Sequence, residues 1–225
     1  IGALKVLACQ VSVPRVQTPA DRDVHVLALC DRIRQYLDGT DAVDLIVLPE
    51  LCTIEYSAGA FSHLDNLAES IDGPSAQAFS QLAQESGAMV VFGMARSTKP
   101  GFAISQLIVD SAGQMVDCYD KMHLCHYGTS TEKDFFQAGG RIVFVDLKGW
   151  RIAPIICYDI RIPELSRTLA VDHGVDLLLH CGAYFRDESF SSWHSFVITR
   201  AMENQVYLLS LNRAGADYGG SIFCP

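Results

Sequence analysis

The 225-residue chain lacks the features that would place it in a membrane, on a nucleic acid or in a disulfide scaffold. No apolar run approaches the roughly 18 residues of a membrane span. The net charge is −9 at neutral pH and no basic stripe is present, so neither a membrane nor a nucleic-acid partner is expected. The eight cysteines, at 9, 30, 52, 118, 125, 157, 181 and 224, form no C-x-x-C pair. Their irregular spacing suits reduced thiols in a cytoplasmic setting rather than a disulfide framework. The first residue is Ile, and the start reads straight into a strand with no signal-peptide pattern. There is no fixed-period repeat, low-complexity segment or linker, so residues 1–225 are expected to form one domain.

What is present is enough apolar sequence to build a large core: 49% hydrophobic residues against 19% charged. Strands are predicted over 4–11, 43–49, 88–95, 103–109, 115–120, 141–146, 151–157, 175–180 and 206–211, with a last strand near Gly220. Asp21 or Asp23 is the expected cap of a helix running to about Asp38, with Val26, Cys30, Ile33 and Leu37 on one face. A second helix opens at Pro74 and stops at Gly87, with Phe79, Leu82 and Ala83 inward. Further helices are expected over 163–173 and 190–204, the latter burying Trp193, Phe196, Val197 and Ala201. Residues 52–73 read as irregular, and 122–140 as a long loop of the kind that usually carries function. Strands alternating with helices, mixed with hairpins, imply an α/β layered fold.

Three polar residues end apolar runs in the same manner: Glu50 in DLIVLPEL, Lys121 in DCYDKMHL and Cys157 in IAPIICYDIRIPEL. A cysteine at a strand-turn-helix junction, here followed by Pro163 and Glu164, is a geometry that exposes a nucleophile above a sheet edge. A free thiol is only a few per cent ionised at neutral pH, so it needs a base or a cation beside it. Glu50 supplies the base, Lys121 the positive charge for an oxyanion, and the Tyr158 N–H a second oxyanion donor. Taken singly, each residue also has an ordinary reading: a buried thiol, a capping or paired carboxylate, a solvated ammonium.

The three motifs together resemble the nitrilase, or carbon–nitrogen hydrolase, superfamily. LIVLPEL, KMHL and CYDIRIPEL match its glutamate, lysine and nucleophile motifs in order. The segment WHSFVITRAMENQVYLLSLNRAG resembles a further family stretch, and the similarity runs from about residue 4 to the end. The resemblance implies an α-β-β-α sandwich and a Glu–Lys–Cys triad of Glu50, Lys121 and Cys157. It also implies a second glutamate, which EKDFFQAGG places at Glu132, orienting the lysine. The implied reaction is hydrolysis of a small non-peptide amide through a cysteine thioester, with ammonia or an amine leaving and no metal or organic cofactor. Tyr158-Asp159 after the cysteine is more like the amidase and carbamoyl-amidohydrolase branches than true nitrilases, and is especially like enzymes acting on ω-amides or deaminated glutathione. Arg161, Arg186 and His194 are candidates to meet an acidic substrate group, with surface roles as their alternative.

Other readings stand beside this one. The same fold could serve nitriles or N-carbamoyl compounds, or act as a non-catalytic interaction module. A papain-like thiol hydrolase would take its base from a histidine, with His180 the best placed and a position at or under the pocket rim its alternative. His123, Cys125 and His126 are soft ligands close together, but not at the spacing of a standard zinc motif, so no metal is expected. Family members form homodimers or larger homo-oligomers, which is the expectation here. The sequence closes at GGSIFCP, where family members continue into further strands, so the C-terminal end is expected to be either short or truncated.

Overall fold

The computed structural model describes residues 2–128 and 130–225. Strand β1 (Val6–Ala8) leads to helix α1 (Pro19–Leu37), and β2 (Leu45–Val47) to two single turns, α2 (Ala58–Phe61) and α3 (Leu64–Leu67). Helix α4 (Pro74–Ser86) precedes β3 (Met89–Ser97), β4 (Phe102–Val109) and β5 (Met115–Asp120). The single turn α5 (Glu132–Phe135) then precedes β6 (Val145–Leu147) and β7 (Trp150–Ile156). A 3₁₀ turn (Cys157–Arg161), α6 (Pro163–Arg167), β8 (Leu177–Cys181), α7 (Phe190–Asn204), β9 (Tyr207–Leu211) and β10 (Ile222–Cys224) complete the order.

Two five-stranded sheets result, in the orders β1-β2-β3-β4-β5 and β10-β9-β8-β7-β6. In the first, β1, β2 and β3 are parallel, and the short connections of β3, β4 and β5 make those pairs antiparallel. In the second, β7, β8 and β9 are parallel, flanked by antiparallel β6 and β10. The period-two alternation of side chains explains why β2 and β3 read as unbroken apolar runs. Leu45, Val47, Met89 and Val91 enter the core shared with the second sheet. Ile46, Leu48, Val90 and Phe92 enter a separate core under α1 and α4. Trp193, Val197 and Ala201 of α7 cover the other sheet beside Leu178 and Leu208. This is the expected α-β-β-α sandwich.

Several boundaries differ from the sequence expectation for local reasons. Helix α1 is capped by Thr18, not Asp21 or Asp23. Pro19 suits the first helical position, and Thr18 and Asp21 form a reciprocal capping box with Asp21 at the third position. The segment 52–73, expected to be irregular, folds two single turns that bury Phe61, Leu64 and Leu67. Only Val6–Ala8 of 4–11 is strand, and the strand expected over 141–146 is instead Val145–Leu147. The helix after Pro163 is α-helical only to Arg167, then widens into a π turn over Thr168–Asp172. Phe196 is half-buried, because it packs on the Arg161 guanidinium at 4.9 Å. Cys157 does not end β7. It starts the 3₁₀ turn, in a backbone conformation no strand has.

Candidate functional site

The site lies where β2, β5 and β7 end. Glu50 follows β2, Lys121 follows β5 and Cys157 follows β7, while Glu132 opens α5 from the loop after β5. The three charged groups are wholly buried. Lys121 Nζ bridges the two carboxylates, donating at 2.7 Å to Glu50 Oε1 and at 2.7 Å to Glu132 Oε1. Glu132 is otherwise saturated: Oε1 also accepts from the Tyr56 hydroxyl at 2.6 Å, and Oε2 from the Cys125 N–H at 2.7 Å. Glu50 is not. Its Oε2 is buried and has no hydrogen-bond partner among the described residues.

Burial pulls the Lys121 ammonium down, but the Glu132 and Glu50 charges outweigh it, and the net shift is well above the ordinary lysine range. Burial raises the Glu50 carboxyl, against the Lys121 charge and with the Glu132 charge. Burial likewise pushes the Cys157 thiol well up. The Glu50 charge adds to that and the Lys121 charge opposes it. The thiol therefore rests protonated, within reach of the Glu50 charge, and Glu50 Oε2 has no hydrogen-bond partner among the described residues.

The Cys157 turn is strained and held from below. Its φ is 45°, in the left-handed region that costs an L-residue about 1–2 kcal/mol. The Cys157 carbonyl accepts from His180 Nε2 at 2.9 Å and from the Tyr184 hydroxyl at 3.0 Å. Because Nε2 donates there, the neutral ring accepts at Nδ1 from the Ser210 hydroxyl at 2.7 Å, and Ser210 Oγ accepts from Trp193 Nε1 at 3.0 Å. Burial lowers His180 to about 4, which keeps it neutral. Asp159 closes the turn. Its Oδ2 accepts from the Ile156 N–H at 2.9 Å and the Tyr119 hydroxyl at 2.7 Å, and its Oδ1 from the His123 N–H at 2.9 Å. Tyr158 N–H sits in the first turn of the 3₁₀ helix, where backbone donors have no partner inside the helix.

Cys157 and Tyr158 line a cavity of about 70 Å³, with Tyr56, Cys125, Tyr127 and Arg161 among the other walls. A larger cavity of about 540 Å³, beside Arg15 and His63, shares none of these residues and touches neither the thiol nor the charged cluster. Arg161 stands over the rings of Tyr127, Tyr158 and Phe196 at 4.9–5.6 Å, with no ion-pair partner among the described residues.

Other expected positions are engaged elsewhere. His180 does not line the cavity; both its nitrogens are committed beneath the turn, which removes it as a base for the thiol. Arg186 donates to the Tyr218 carbonyl, and His194 Nε2 bonds the Gly220 carbonyl. His123 Nδ1 bonds Asp159 at 2.8 Å, and no group of three or more metal-ligating side chains occurs among the described residues. Sequence reasoning overlooked Arg213, Tyr56 and Tyr184. Arg213 stood in the NRAG segment without a role, while Tyr56 and Tyr184 had no local signal in irregular stretches.

The carbon-nitrogen hydrolase family profile matches residues 8–224. Omega-amidase YafV of Escherichia coli strain K12 is 32% identical over 184 residues, which are 82% of this chain and 67% of that protein. The 2-oxoglutaramate amidase of Bacillus subtilis strain 168 is 32% identical over 176 residues, 77% of this chain and 65% of that one. The crystal structure of XC1258 from Xanthomonas campestris, a CN-hydrolase superfamily protein with an arsenic adduct in its active site, superposes with a TM-score of 0.82. It is 27% identical, covering 99% of this chain and 83% of that one. With a profile spanning nearly its whole length and both sheets in common, the chain belongs to the carbon–nitrogen hydrolase family.

Proposed function

We propose that this chain hydrolyses a small amide carrying a distal carboxylate, through a thioester on Cys157. The observation that carries the reading is the asymmetry of the two buried carboxylates. Glu132 has its oxygens filled, whereas Glu50 keeps one buried oxygen without a partner among the described residues, and its charge acts on the Cys157 thiol. Glu50 takes the Cys157 proton as sulfur attacks the amide carbon, and the oxyanion is met by Lys121 and the Tyr158 N–H. The proton passes from Glu50 to the leaving ammonia. Glu50 then deprotonates the water that opens the thioester. Glu132 holds Lys121 in place.

Arg161 supports the substrate class. A half-buried guanidinium over aromatic rings and without an anion is suited to a carboxylate, which it can meet with two parallel hydrogen bonds. The names of the relatives point the same way, toward ω-amides and 2-oxoglutaramate. Residues 1–225 act in this reading as one domain, assembled as a homo-oligomer. All eight cysteines are free, which suits a cytoplasmic protein, and no helix among the described residues is long and apolar enough to cross a membrane.

The test is ammonia release from succinamate, glutaramate, propionamide, an N-carbamoyl amino acid and a nitrile. The two ω-amides should be preferred, and Cys157→Ala should reduce release to background. Release from the nitrile but from none of the amides would overturn the proposal. Arg161→Met should raise KM for glutaramate about tenfold and leave propionamide unchanged.

A further inference from the structure

The cluster around Lys121 is out of balance: two carboxylates, Glu50 and Glu132, face one ammonium, all fully buried. A second buried cation stands beside it. Arg213 follows β9 in the second sheet, yet its guanidinium reaches under the turn that carries Glu50 at the end of β2 in the first. Nε and Nη2 donate to the Glu50 carbonyl at 3.2 and 3.0 Å, and Nη2 also donates to the carbonyls of Leu51 at 2.6 Å and Ile54 at 2.9 Å. No carboxylate pairs with it among the described residues.

The gripped turn is strained and closely backed. Leu51 has φ 48°, and Gln106 Nε2 donates to the Leu48 carbonyl at 2.8 Å. Gly93 of β3 lies so close that a Cβ there would sit 2.5 Å from the Pro49 oxygen and 2.7 Å from the Leu51 nitrogen. The turn is therefore clamped between β3 and the guanidinium. A neutral amide could satisfy one or two of these carbonyls. A guanidinium satisfies all three and also brings the positive charge that the cluster lacks.

We propose that Arg213 is a positioning residue for Glu50: its fan of hydrogen bonds fixes the turn that presents the Glu50 carboxylate, and its charge balances the second carboxylate of the cluster. This rests on the reading of Glu50 as the acid–base group at Cys157. The groups facing Glu50 from the packed elements are Lys121 after β5, Glu132 of α5, Cys157 and Tyr184 from the second sheet, Cys181 of β8, Tyr56 after β2, and Tyr218 with Arg213 after β9. Of these, Lys121 and Arg213 bear the positive charges that lower the Glu50 carboxyl.

The test is the rate of Cys157 alkylation by iodoacetamide against pH in the full chain, read by peptide mass spectrometry, with circular dichroism as the check on folding. This readout needs no substrate. In the wild type the rate should rise along a limb set by Glu50, and Glu50→Gln should remove that limb. Arg213→Gln should move the limb to higher pH and slow alkylation at neutral pH about tenfold. Arg213→Lys, which keeps the charge but not the fan, should keep the limb while the rate falls. A folded Arg213→Gln protein with an unmoved limb would overturn the proposal. If that variant does not fold, Arg213→Lys decides, and a wild-type rate there overturns it. A Glu50→Gln profile equal to wild type would instead reject the Glu50 assignment, and this inference with it.

Discussion

The two halves of the site are held by different forces. At the ends of β2 and β5, side-chain charge does the holding: Lys121 between Glu50 and Glu132, with Arg213 beneath. At the end of β7 side-chain hydrogen bonds hold the backbone of the turn itself. Cys157 sits at positive φ, its carbonyl pinned by neutral His180 and Tyr184, and Asp159 gathers the N–H groups of Ile156 and His123. Proton transfer and oxyanion binding need fixed charge in a dry place, which is costly unless every ion is matched. A nucleophile needs only to be lifted clear of the sheet, and one residue of backbone strain achieves that.

Removing charge from the first half should therefore cost far more stability than removing the thiol from the second. Lys121→Met leaves two buried carboxylates facing each other and should lower unfolding free energy by about 3–5 kcal/mol in urea titration. Cys157→Ala should change it by less than about 1 kcal/mol. Equal losses in the two variants would erase the distinction.

His180 is a titratable support of the second half, and its sign is opposite. His180 is lowered from 6.5 to about 4, so the unfolded chain binds the proton first as pH falls. The stability it gives is complete above pH 6.5 and is lost as pH drops toward 4, a change on the order of 3 kcal/mol. His180→Gln should flatten this part of the stability curve relative to wild type. Parallel curves between pH 6.5 and 4 would show that another group carries the acid sensitivity.

The two halves were also unequally legible in the sequence. Glu50, Lys121 and Cys157 each end an apolar run, so position relative to a strand end was visible locally, and the family resemblance supplied Glu132. The apolar runs implied an α/β layered fold, since residues buried on both faces of a sheet leave an unbroken apolar pattern, and the family resemblance implied the sandwich. The supports were hidden because they act across the fold. Arg213 reaches 163 positions back to Glu50, and Tyr184 reaches 27 back to Cys157. His180 was visible as a polar end to an apolar strand, but its direction was not: only the pairing of β7 with β8 and β9 turns it under Cys157 and toward Ser210. Tyr158-Asp159 was read for substrate branch, whereas Asp159 proves to be the bond acceptor that shapes the turn.

Activity should separate the halves further. Glu50→Gln keeps an oxygen to accept from Lys121 but loses the carboxylate, so kcat for ammonia release should fall about 10²-fold or more. An active Glu50→Gln protein would transfer the acid–base role to another group.

The smallest effect tests the strain itself. Glycine adopts φ 45° without the Cβ penalty, so Cys157→Gly should be more stable than Cys157→Ala by about 1 kcal/mol in matched urea titrations. Glycine in an ordinary extended or helical position has the reverse effect, because it loses more chain entropy on folding. The sign of the difference, rather than its size, reports whether the turn is held in the left-handed region in solution. An alanine variant more stable than the glycine variant would mean that the turn relaxes once the thiol is gone. The strain would then belong to the sulfur's own packing and not to the network of His180, Tyr184 and Asp159 around it.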